Sequence, residues 1–179
     1  MKYTMPEVSP KTEKLIKEKS GVMLDIGCGA NKQDGFVGID IRPIEGVNIV
    51  HDLEVFPYPL PDECVVVAVC SHVVEHINPH KGVFMRFMDE IWRIMKPECE
   101  FAIITPYAGS IGYFQDPTHV NPCNENTWRY FDPEDSSMLW HIYKPKPWSI
   151  KLNAYQSTGN MEVVLVKRAM EAKYEGYKG

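Results

Sequence analysis

The stretch from Val22 to Asp40 does most to limit what this chain can become. Val22-Met23-Leu24-Asp25-Ile26 is almost wholly apolar and ends abruptly in Gly27-Cys28-Gly29, while a second short run closes on Asp40. A continuous apolar run marks a strand covered on both faces. Glycine belongs where backbone turns sharply or approaches a ligand closely. A carboxylate at the end of the next strand suits the two hydroxyls of a ribose. The segment reads as strand, open glycine turn and strand ending in an acid, a layout suited to a nucleoside-bearing cofactor.

The remaining strands follow from the same reasoning. Val47 to Val50 is short, and the turn around Pro43 and Gly46 precedes it. Residues 52–63 hold Pro57, Pro59 and Pro61 and are expected to form an ordered loop. Cys64-Val-Val-Val-Ala-Val-Cys70 is the strongest central-strand candidate, and Phe101 to Thr105 is another strand. Apolar residues at 83, 84, 87, 88, 91, 94 and 95 predict a helix over Gly82–Met95, stopped by Lys96-Pro97. A shorter helix is expected over Pro10–Lys19, with Ser9 placed to cap it and Gly21 to end it. Trp148–Tyr155 and Glu162–Lys167 read as an antiparallel hairpin turning over residues 157–161, and residues 168–179 as a polar tail or frayed helix. Alternating apolar strands and connections give an α/β fold on a mainly parallel sheet.

Composition narrows the function classes. The 179 residues fit one domain with a sizeable core. A net charge of −5, from 24 acidic and 19 basic side chains, argues against a broad nucleic-acid surface. Cys28, Cys64, Cys70, Cys99 and Cys123 form no C-x-x-C pair, so free thiols and a cytosolic setting are expected. No run approaches the roughly 18 apolar residues of a membrane span, and no signal-peptide core is recognisable.

Four features occur together in order: Leu24-Asp25-Ile26-Gly27-Cys28-Gly29, Gly38-Ile39-Asp40, Asp52-Leu53, and Ser71-His72-Val73-Val74-Glu75-His76. Over residues 20–105 the chain resembles the Rossmann-like class I S-adenosylmethionine-dependent methyltransferases. The resemblance implies a mostly parallel seven-stranded sheet with an antiparallel terminal hairpin. It implies a single methyltransferase domain over residues 1–179, with a substrate-side insertion at about 106–147. S-adenosyl-L-methionine is the implied cofactor. Asp25, Gly27, Cys28 and Gly29 would shape the methionine pocket, and Asp40 with neighbouring Ile41 would receive the ribose. Asp52 and Leu53 would meet the adenine, and Ser71 and His72 would close over the methionyl end. One departure stands out: too few residues separate Gly29 from Asp40 for a crossover helix, since a parallel connection normally takes roughly a dozen or more. Residues 30–35 must be a tight loop or a single turn, which makes Asn31 and Lys32 candidates for the cofactor carboxylate.

Residues 106–147 are rich in glycine, proline, aromatics and histidine, with a short helix expected over Pro133–His141. Long loops within a compact domain commonly serve binding. Methyl transfer is largely a matter of alignment, and a base is needed only where the acceptor carries a departing proton. Gln115-Asp116-Pro117-Thr118-His119-Val120-Asn121-Pro122 is similar to a D-P-x-H stretch in this insertion of some members of that family, and the resemblance makes His119 the preferred general base or substrate anchor, with Asp116 orienting it. The bland alternative is that His119 only ties the loop to the domain. Tyr107 and Arg129 are candidates for the acceptor site. Tyr113, Phe114, Trp128, Tyr130, Phe131 and Trp140 divide between acceptor stacking, a small local core and a surface for oligomerisation. His72 and His76 lie four apart but lack the H-E-x-x-H register, so no metal is expected.

Other cofactors fit less well. A dinucleotide fingerprint needs a third glycine and a later acid, and no Walker sequence is present. Cys70-Ser71-His72-Val73 stands where base amino-methylases carry D/N-P-P-Y/F. The leading reading is methyl transfer to a small-molecule or saccharide acceptor. A non-catalytic cofactor- or partner-binding protein and a nucleotide-dependent oxidoreductase are the alternatives.

Overall fold

A computed structural model describes residues 7–8, 10–18, 21–171 and 174. In chain order its elements are β1 (Glu7–Val8), α1 (Pro10–Glu18), β2 (Val22–Ile26), β3 (Val37–Asp40), β4 (Ile49–Val50) and β5 (Val65–Ser71). They continue with α2 (Val83–Ile94), β6 (Met95–Pro106), α3 (Ile111–Phe114), α4 (Glu125–Arg129), α5 (Trp140–Tyr143), β7 (Trp148–Tyr155) and β8 (Asn160–Lys167). All strands join one sheet in the order β1-β4-β3-β2-β5-β6-β8-β7. Strands β4-β3-β2-β5-β6 are mutually parallel, and β8 and β7 close the sheet antiparallel. The expected seven strands are thus present, and the two-residue β1 adds an antiparallel edge against β4. Ser9 and Lys19 lie outside the described residues, as does most of the expected polar tail.

The apolar runs pair where β-branched residues favour them. In the centre, Leu24 and Ile26 of β2 face Ala68 and Cys70 of β5, which in turn face Phe101 and Ile103 of β6. Helix α2 covers this layer with Phe84, Phe87, Met88, Ile91 and Ile94, all buried. Each such side chain contributes about 1.5–3 kcal/mol on leaving water. The helix stops at Ile94 because Pro97 lies close behind: Met95 is already extended and pairs with Val65 as β6 begins. The sheet's other face is barer. Residues 27–36, 41–48 and 51–64 connect parallel strands without any helix, so Met23, Ile104 and Leu152 are left exposed there.

The segment between β6 and β7 corrects one expectation. Pro133–His141 is not a helix; the helical turn starts only at Trp140. Asp132 Oδ1 accepts the Glu134 amide, and Asp135 Oδ1 accepts the Ser137 amide. These side-chain turns compete with helical bonding, and Met138 at φ 60° breaks the path. The closing turn also falls earlier than expected, at Gln156–Gly159, with the Gly159 amide donating to the Gln156 carbonyl. No described helix is long and apolar enough to cross a membrane.

Candidate active site

The glycine turn sits at the carboxyl end of β2. Gly27 has φ 66° and its amide donates to the Ile39 carbonyl at 2.8 Å. A Cβ at Gly27 would stand 2.2 Å from a methyl of Val73, so the turn and the segment beyond β5 are in contact. Gly29 has φ 54°, and its amide donates to Oδ2 of Asp40 at 2.8 Å. Oδ1 of Asp40 accepts both the amide and Nε of Arg42, at 2.9 and 3.2 Å. Burial pushes the Asp40 carboxyl up, but the Arg42 amide and guanidinium and the Gly29 amide outweigh it and hold it below the usual range. An ionised acceptor therefore stands at the end of β3.

Beside it runs a cleft of about 490 Å³, lined by Gly27, Asp40, Ile41, Arg42, Asp52, Leu53, Glu54, His72, Val73, His76 and Ile77. That volume lies in the range of small-molecule pockets, roughly 300–1,000 Å³. The proline-rich loop supplies one wall in a fixed shape. Asp52 Oδ1 takes the Glu54 amide, Tyr58 donates its hydroxyl to the Leu53 carbonyl, and Glu54 Oε1 takes the Asn78 amide.

The end of β5 forms the partition to a second cleft. His72 has φ 54°, a conformation disfavoured for a side chain with a Cβ, and its amide donates to the Ile104 carbonyl. A short 3-10 turn, Val74–His76, follows. Its carbonyls anchor the later segment: the Glu75 carbonyl accepts the amides of Val120 and Asn121, and Asn121 Nδ2 donates to the Val74 carbonyl. This docking creates a cleft of about 500 Å³ bordered by His72, Glu75, His76, Gln115, Asp116 and His119 among others. His72 and His76 belong to both clefts.

His119 is fixed by Tyr113 rather than by Asp116. A carbonyl only accepts, so the 2.8 Å contact to the Tyr113 carbonyl places the proton on Nδ1. Nε2 then carries a lone pair and faces Oδ2 of Asp116 at 3.9 Å. Asp116 is occupied chiefly by Thr118, whose hydroxyl and amide both donate to Oδ1 at 2.7 and 2.8 Å. Those bonds hold its carboxyl below the usual value.

The structure brings Gly27, Asp40, Ile41, Asp52, Leu53 and His72 to the first cleft, and His119 and Asp116 to the second. Asp25, Cys28, Gly29, Asn31, Lys32 and Ser71 do not border the first cleft. Asp25 accepts the Gln33 amide, and burial pushes its carboxyl up. Lys32 donates to the Phe36 carbonyl, so both residues brace the short loop. Tyr107 lies apart, in a cleft of about 330 Å³ with Ser110, Glu125 and Tyr155. Arg129 faces Asp135 at 3.9 Å. Trp128, Phe131 and Trp140 are core side chains, whereas Phe114 is 74% exposed. Arg42, Glu54, Val73, His76 and Ile77 are additions to the expected lining, of which Arg42 had a signal: a guanidinium two residues beyond a carboxylate that ends a strand.

No protein-family model matches the chain, and no curated protein matches it in sequence. Solved structures match it in fold. A SAM dependent methyltransferase from Archaeoglobus fulgidus is 18% identical with a TM-score of 0.60, over 88% of this chain and 91% of that one. A SAM-dependent methyltransferase from Methanosarcina mazei is 15% identical with a TM-score of 0.56, over 92% and 100%. The [4+2]-cyclase SpnF is 14% identical with a TM-score of 0.55, over 89% and 81%. The chain thus has the class I methyltransferase fold, the architecture its glycine turn and strand-end acid implied.

Proposed function

We propose that the chain is a methyltransferase that binds S-adenosyl-L-methionine in the first cleft and a small-molecule or saccharide acceptor in the second. The observation that carries this reading is the ionised Asp40 at the mouth of a cleft that meets the His119 cleft at His72 and His76. The donor set fits the cofactor. Asp40 accepts the ribose hydroxyls, exchanging the exposed Arg42 guanidinium for them, while Leu53 and Ile77 offer apolar contact and Asp52 an acceptor to the adenine. Bound S-adenosylmethionine supplies an electrophilic methyl group on a sulfonium. The protein's part is to align the acceptor with that methyl and exclude water. His119, with its free Nε2 at the neighbouring cleft, anchors the acceptor or takes its proton. The likeness to a [4+2]-cyclase favours a second reading, a reaction other than methyl transfer on the same fold.

Calorimetric titration with S-adenosylmethionine, S-adenosylhomocysteine and NAD tests the cofactor. Micromolar binding of the two sulfur compounds and none of NAD is the expected result, and silence from both sulfur compounds rejects the reading. Formation of S-adenosylhomocysteine on presenting acceptor panels then separates transfer from binding alone.

A further inference from the structure

The cleft beyond β5 contains an electrostatic imbalance. Glu75 is fully buried, at 0% exposure. Its Oε2 accepts the Thr105 hydroxyl at 3.0 Å, but Oε1 has no hydrogen-bond partner. The nearest cationic candidate, Nδ1 of His72, stands 3.4 Å from Oε1. A buried carboxylate oxygen without a partner is costly, and a cation is the usual remedy.

Two imidazoles, His76 and His119, stand beside this carboxylate. His119 commits its Nδ1 proton to the Tyr113 carbonyl. Thr118 spends its hydroxyl proton on Asp116 Oδ1, so at 3.1 Å its oxygen can only accept from Nδ1 of His76. Both rings are therefore held in the tautomer that leaves Nε2 unprotonated. The rings lie edge to face, 4.8 Å between centroids. One donor atom each from Glu75, His76 and His119 can be chosen so that all three lie within 4.8 Å of one another. Bonds of about 2.1 Å to a tetrahedral ion place donors about 3.4 Å apart, so the three side chains would close in together on binding. Outer hydrogen bonds that fix the ring tautomer are what metal-ligating histidines characteristically have, and here Tyr113 and the Thr118–Asp116 pair supply them.

We infer that Glu75, His76 and His119 form a binding site for one divalent first-row transition-metal ion. Two imidazoles and one carboxylate suit Zn²⁺, Fe²⁺ or Co²⁺ better than Mg²⁺ or Ca²⁺. Three protein ligands leave positions open to water or to an oxygen of a molecule in the cleft, so with an ion bound His119 anchors an acceptor through the metal and does not take its proton. Asp116, with Oδ2 at 3.9 Å from His119 Nε2, adds negative charge at the rim. His76 also borders the cofactor cleft, but ion binding is read directly, so the test is independent of the methyl-transfer reading.

The test is titration of chelator-treated protein with Co²⁺, followed by calorimetry and by visible absorption. One ion per chain is expected, with ligand-field bands of a low-symmetry nitrogen–oxygen site that Zn²⁺ abolishes. Glu75→Gln keeps the side-chain shape and the Thr105 bond, and His76→Ala changes an exposed position, so His76→Ala carries the test should the buried variant fail to fold. Each folded variant should bind Co²⁺ at least tenfold more weakly, while His80→Ala, outside the set, should bind as wild type does. Absence of stoichiometric binding, or wild-type affinity in either folded variant, would overturn the assignment.

Discussion

The Gly29 amide donates to Oδ2 of Asp40 across 2.8 Å, joining the turn after β2 to the end of β3. The carboxylate is thereby both a brace for the glycine turn and the acceptor that faces the cleft. Asp40→Ala should weaken S-adenosylmethionine binding by about 1–3 kcal/mol, the cost of leaving polar groups unpaired. Calorimetry checks this, and unchanged affinity would reject the ribose assignment.

Gly27→Ala should destabilise the fold by about 2–4 kcal/mol, combining a left-handed backbone with an overpacked contact. The new methyl would meet the Val73 side chain at 2.2 Å. Gly46 supplies the comparison, since it has φ 92° but nothing within 4 Å of its Cβ position. Gly46→Ala should therefore show the backbone cost alone in denaturant unfolding, and equal losses at both sites would rule out the steric contact.

His119→Ala should lower turnover at least tenfold while cofactor affinity stays within about twofold, because the ring borders the second cleft and not the first. Steady-state kinetics beside calorimetry separates the two effects. Wild-type turnover in this variant would leave His119 as no more than a tie between the loop and the domain.

Alkaline pH should destabilise the protein through its buried thiols. Burial pushes the thiols of Cys28 and Cys64 up to about 11 and that of Cys123 to about 12, from an ordinary 9.0. Above pH 9 the unfolded chain loses these protons while the folded chain keeps them, so the unfolded state is favoured. The stability is fully present below the ordinary value and declines as pH rises toward the folded ones. Lys167, held below its usual value by burial, pulls the opposite way. Denaturant midpoints measured from about pH 8 to about pH 10.5 should fall, and Cys123→Ala should flatten the decline.

The legible parts of the sequence were those governed by local, repetitive signals. Val65–Ser71 and Val83–Ile94 follow from apolar periodicity, and the helix-free connection after Gly29 from residue count alone. The Pro133–His141 segment misled because Asp132 bonds beyond its own neighbourhood: its Oδ2 accepts the amide of Ile150 in β7. Tyr107 looked like a site residue from its place after β6, yet its packing against Tyr155 sends it to another cleft. The orientation of His119 by the Tyr113 carbonyl depends on a contact that no pattern of residue types encodes.

The fastening of Val120 and Asn121 to the turn Val74–His76 bears on how such a protein can diversify. Three hydrogen bonds make the partition between the clefts and the base of the later segment one unit. A change at Asn121, whose side chain makes one of these bonds, would displace both clefts together. Ile111 and Phe114, by contrast, are 84% and 74% exposed on the short helix beside the second cleft. New acceptor preferences can accumulate on those side chains, exchanged one at a time, while the cofactor side remains as it was.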